Sequence, residues 1–77
     1  MDLDLKVLAE ASLAVEGAEI AAGEGAFTAA REAIDEAERG LAALRERWPA
    51  MGRAERTLVG RAAAQVRQRL DAIMVPE

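Results

Sequence analysis

The sequence predicts an all-α fold, a single domain over residues 1–77 in which three long, slender helices run up, down and up as an antiparallel bundle. Phe27, Ala30, Ile34, Ala37, Leu41, Leu44 and Trp48 recur at alternating steps of three and four. That coiled-coil-like spacing draws one apolar seam down one side of a helix, the period of helix-on-helix packing. Gly23-Glu24-Gly25 and Pro49-Ala50-Met51-Gly52 are two short breaker stretches that cut the chain into three. Alanine, the strongest helix former, supplies 19 of the 77 residues.

The first helix is expected over residues 3–22, with Asp2 or Asp4 capping its N-terminus and favouring the positive end of its dipole. Its main apolar stripe is Leu3, Val7, Leu8, Ala11, Ala14, Val15, Ala18 and Ala22, and the alanines form a smooth ridge for close helix approach. Leu5, Ala9, Leu13 and Ile20 project in other directions. A single copy would leave Leu13 and Ile20 in water, so these two are the expected contact between subunits. The two glycines after Ala22 end the helix.

The second helix, residues 26–48, carries the seam and stops because Pro49 disfavours helical geometry at the residue before it. The third is expected over residues 53–74, with Leu58, Val59, Ala62, Val66, Leu70 and Ile73 facing inward and Arg53, Arg56, Arg61 and Arg67 elsewhere. Val75-Pro76-Glu77 should fray. Gly40 and Gly60 each cost about 1 kcal/mol relative to Ala inside a helix, which is the expected mark of close packing against a bulky neighbour. Both connections are short, so consecutive helices should be antiparallel neighbours.

Of the residues that make up the 52% hydrophobic content, 19 are alanine, and the only aromatics are Phe27 and Trp48. The core is therefore thin, in a chain near the size at which one hydrophobic core is only marginally sufficient. Self-association, with a homodimer favoured, is the expected source of extra burial. Net charge is −4 and unevenly placed. Residues 1–38 hold ten acids against Lys6 and Arg31, a net −8, whereas residues 39–77 hold eight arginines against four acids, a net +4. The expected use of this asymmetry is a third helix folded back on the first two with complementary charges at the rim. The other use is a surface of Arg53, Arg56, Arg61, Arg67 and Arg69 for an anionic partner such as DNA. The acidic balance and the lack of aromatic stacking platforms argue against nucleic acid.

Gly25-Ala26-Phe27 followed by Ala30, Ile34 and Ala37 resembles the second helix of a tetratricopeptide repeat, in which a glycine, an aromatic, a small residue, a bulky one and an alanine recur at these spacings. The resemblance covers residues 25–37. Of the family's first-helix positions only Ala18 fits, and the family's closing proline would fall at Ala42. What the resemblance implies is a helical hairpin that binds peptide.

Most residue types that perform chemistry are missing: the chain has no His, Cys, Tyr or Asn and only one Lys. Glu32, Asp35 and Glu36 cluster opposite the seam, the usual place of a solvated face. Ser12, Thr28 and Thr57 have no His to activate them, and no glycine-rich phosphate loop or helical Glu-x-x-His metal pattern occurs. No enzyme, cofactor or metal is expected. Charges interrupt every apolar stretch before the roughly 18 residues that span a bilayer, and the acidic first residues lack a signal-peptide layout, so a cytoplasmic location is expected. Arg in excess of Lys, with abundant Ala and Gly, points to a GC-rich genome, and a bacterial source is expected. The expected function is that of a non-catalytic helical interaction and oligomerisation module. Its partners would be itself or a helical or peptide segment of another protein.

Overall fold

A computed structural model describes residues 2–76, which form α1 (Asp2–Gly23), α2 (Phe27–Arg47), a 3₁₀ turn at Trp48–Ala50 and α3 (Arg53–Ala72), with no strand among the described residues. The three helices make a slender bundle of 41 × 17 × 17 Å. Glu19 of α1 pairs with Arg69 of α3, and Glu38 of α2 with Arg67 of α3. With the two connections, these pairs give the up-down-up order. α1 lies closely along α2 and more loosely along α3, while the backbones of α2 and α3 stay farther apart and the two helices meet through side chains.

Local chemistry sets each boundary. Past the end of α1, Gly25 adopts φ 78°, the left-handed conformation that glycine takes without a Cβ clash. This lets the N–H of Ala26 reach the carbonyl of Ala21 at 2.8 Å and that of Gly25 reach Ala22 at 3.2 Å, a Schellman closure of the helix. α2 ends one residue short of Trp48, which begins the 3₁₀ turn with Pro49 behind it. Met51 closes that turn by donating to the Trp48 carbonyl at 3.1 Å. α3 stops at Ala72 rather than at residue 74, because Pro76 disfavours helix at Val75 and the chain is already extended at Ile73.

The core joins Ala11 and Val15 of α1, Ala37, Leu41 and Leu44 of α2, Met51, and Val59, Val66 and Leu70 of α3. Within the seam, Ala30, Ala37, Leu41 and Leu44 are buried and Phe27 and Ile34 are half-buried. Trp48 departs from it: at 38% exposure it lies on the surface, because it belongs to the 3₁₀ turn and not to the helix that carries the seam. Leu3 and Leu58, expected inside, are exposed. α3 rests mainly on α1, so its inward stripe is narrow, and Leu58 lies roughly 100° around the helix from Val59.

Both glycines inside helices mark close approaches, of different kinds. A Cβ on Gly60 would come within 2.9 Å of the Trp48 ring, the bulky neighbour that the sequence predicts. On Gly40 it would meet the Cβ of Ala11 at 3.1 Å. The neighbour there is small, and it is the backbones of α1 and α2 that come together. Asp4 is not an N-cap: it sits inside the first turn of α1, and its side chain points into the bundle. A cap by Asp2 and the behaviour of Glu77 lie outside the described side chains.

Candidate protein-interaction site

A helix that turns Ala11, Val15 and Ala18 to the core must turn the opposite residues to water. On α1 these are Leu13 and Ile20, 67% and 57% exposed, with Glu16 exposed between them. Two large aliphatic side chains seven residues apart stand about 10 Å from one another along the helix. The α1 surface is therefore apolar on both sides, with its acids set around the outer patch.

The second surface arises between α2 and α3. Because the backbones of these helices stay apart, they leave a groove of about 390 Å³ between them. Leu41, Leu44 and Trp48 form one wall, Val59, Gly60, Ala63 and Ala64 the other, and Arg45 and Arg67 stand at the rim. Sequence reasoning missed this groove. Its only trace in the sequence is the run of small residues at Gly60, Ala63 and Ala64, which share one side of α3 and present a low wall.

The arginines of the third helix divide. Arg56 donates to the carbonyls of Trp48 and Pro49 at 3.1 and 3.2 Å, and its guanidinium lies 6.0 Å from the centre of the Trp48 ring. Arg67 bridges Glu38 at 3.3 Å and Asp71 at 3.5 Å. Arg69 grips Glu19 through two hydrogen bonds of 2.5 and 3.2 Å. This bidentate contact lowers the pKa of Glu19 and raises that of Arg69. Arg53 and Arg61 make no ion pair among the described residues. Complementary charges do line the rim between α3 and the other two helices.

A third grouping closes one end of the bundle, where the N-termini of α1 and α3 meet the C-terminus of α2. Asp4 is only 4% exposed and accepts a hydrogen bond from Nε of Arg47. Arg47, with the neighbouring Glu55 carboxyl, holds the Asp4 carboxyl below the usual range, and the closeness of Asp4 pushes Glu55 up. Oε2 of Glu55 is buried without a hydrogen-bond partner among the described residues. The acids sit at helix N-termini and the arginine at a C-terminus, so each charge also faces the favourable end of a dipole. Neither acid lines the groove, and no group of three or more potential ligands that could hold a metal occurs among the described residues. The trio ties three helix ends together.

Comparison with known proteins finds no matching family model, no matching curated protein and no matching solved structure. No described helix is long and apolar enough to cross a membrane.

Proposed function

We propose that this chain is a non-catalytic helical module that works by binding protein, beginning with other copies of itself. The observation that carries the proposal is the exposure of Leu13 and Ile20 on the side of α1 opposite the core. Two large aliphatic side chains at helical spacing on one outer face form a patch, and a contact that covers them adds burial worth about 25 cal/mol per Å². The resemblance of residues 25–37 to a tetratricopeptide helix points the same way, toward binding of a helical or peptide segment. The absence of His and Cys supports a role without catalysis.

Light scattering behind size exclusion at micromolar concentration tests this reading. The wild-type mass should be a multiple of the 8.2 kDa chain. Leu13→Glu with Ile20→Glu should return it to a single chain with helicity kept, because a carboxylate forced unpaired into a dry contact costs several kcal/mol. A wild-type protein that runs as one chain overturns the proposal.

The alternative, a DNA-associated regulator, has Arg53 and Arg61 to offer, since Arg56, Arg67 and Arg69 are already engaged within the chain. Such a site would neutralise few phosphates and bind duplex weakly. Titration of duplex DNA at low salt should give no saturable binding. A salt-sensitive complex would move the function to that reading.

A further inference from the structure

We infer that the groove between α2 and α3 receives the Leu13–Ile20 face of α1 from a second copy of this chain, so that the copies join head to tail. The inference rests on the proposal that the chain self-associates, and it names the surface that the α1 face meets.

Three observations fit the two surfaces together. The first is spacing. Leu13 and Ile20 are seven residues apart, about 10 Å along α1, and the groove wall runs over the same seven residues from Leu41 on α2 to Trp48 in the 3₁₀ turn. The second is shape. Beyond the Trp48 indole, which covers Gly60, the α3 wall is built of Ala63 and Ala64, which lets another helix approach with its aliphatic side chains lowered into the trough. The third is charge. Glu16 stands between Leu13 and Ile20, and Arg45 stands between Leu41 and Trp48 on the rim. Neither is engaged in an ion pair among the described residues.

The competing arrangement, α1 against α1 across a two-fold axis, fails on the same charge. The centre of the Leu13–Ile20 face is at Glu16 and Gly17, so a symmetric antiparallel contact would set Glu16 against Glu16 in a drying interface. Placing that face against the groove sets Glu16 near Arg45 instead. In one copy the two surfaces lie back to back, because α1 turns its buried side toward both other helices and the groove opens away from it. Two copies therefore cannot satisfy both surfaces of each other. A contact of this kind is heterologous, and it adds copies until a ring closes or a chain grows.

Complementation by mixing tests the inference. One variant, Leu13→Glu with Ile20→Glu, spoils the α1 face and keeps the groove. The other, Arg45→Glu with Ala64→Glu, spoils the groove at two exposed positions and keeps the α1 face. Light scattering should show wild type growing in mass with concentration, each variant alone as a single chain, and the equimolar mixture as a one-to-one pair that grows no further. Circular dichroism confirms that both variants are helical.

A groove variant that still associates as wild type does overturns the inference and leaves self-association standing. A mixture that forms no pair overturns it as well, and a monomeric wild type overturns both. A charge exchange supplies a check that leaves the apolar surfaces intact. Glu16→Arg alone and Arg45→Glu alone should each weaken association by about fivefold. The two together should recover it, and a double variant as weak as the singles overturns the proposed register.

Discussion

Leu70→Ala should lower the stability of the domain by about 2–5 kcal/mol, read as a drop in the urea midpoint at unchanged slope. The reason lies in how α3 is held. Its backbone keeps apart from α2, and it enters the common core through Val59, Val66 and Leu70, with Ala62, Ala63 and Ile73 packed beside them. Removing one of the three buried anchors loses transfer free energy and leaves a cavity. The neighbouring alanines are too short to fill it. A small domain is worth roughly 0.05–0.15 kcal/mol per residue in total, so the loss is a large fraction of the whole. Leu58→Ala, on the same helix but exposed, should stay within about 0.5 kcal/mol. Equal shifts for the two variants would mean that α3 packs by a different face.

Arg47→Met should destabilise the domain far more than Arg61→Met, because it leaves the buried Asp4 carboxylate without its counter-charge and beside a second acid. The pH dependence of this cluster has two limbs of opposite sign. Asp4 has a depressed pKa, so its contribution is fully present above its ordinary value of 3.8 and is lost as pH falls through the depressed one. Glu55 has a raised pKa, so its contribution is fully present below its ordinary value of 4.5 and is lost as pH rises through the raised one. The trio therefore holds the helix ends best between those two ordinary values, with Asp4 ionised and Glu55 carrying the proton. Glu55→Gln keeps the protonated shape at every pH. Wild type and this variant should have nearly equal urea midpoints at the acidic end of that window, with the variant pulling ahead as pH rises toward neutrality. Parallel pH curves would show that Glu55 is not held against Asp4.

Both predictions depend on facts that periodicity conveys unequally. The burial of Leu70 and Val66 is visible in sequence, since an apolar residue at every third or fourth position has to face one side of a helix. The exposure of Leu58 is not, because whether a helix buries a wide stripe or a narrow one depends on how many neighbours it has. Trp48 escaped for a related reason: the seam reads as continuous through it, but Pro49 tightens the backbone into a 3₁₀ turn and changes where the indole points. Asp4 looked like a cap because short acids near a helix start usually are. Its partner Arg47 is 43 residues away in the chain, and no local pattern announces that pair.

By itself the sequence determined the three helices and their order, their ends to within two residues, and the turning outward of Leu13 and Ile20. All of these follow from the 3.6-residue period and from glycine and proline, which act within a turn or two of chain. Tertiary structure alone decided the pairing of Asp4 with Arg47 and Glu55, the matching of Arg67 and Arg69 to Glu38 and Glu19, and the groove. Each of these depends on the axial register and separation of helices distant in the chain. Gly40 against Ala11 lets α1 and α2 come close, while the Trp48 indole stands against Gly60 between α2 and α3. A trough opens there because the third helix is seated on the first and not on the second.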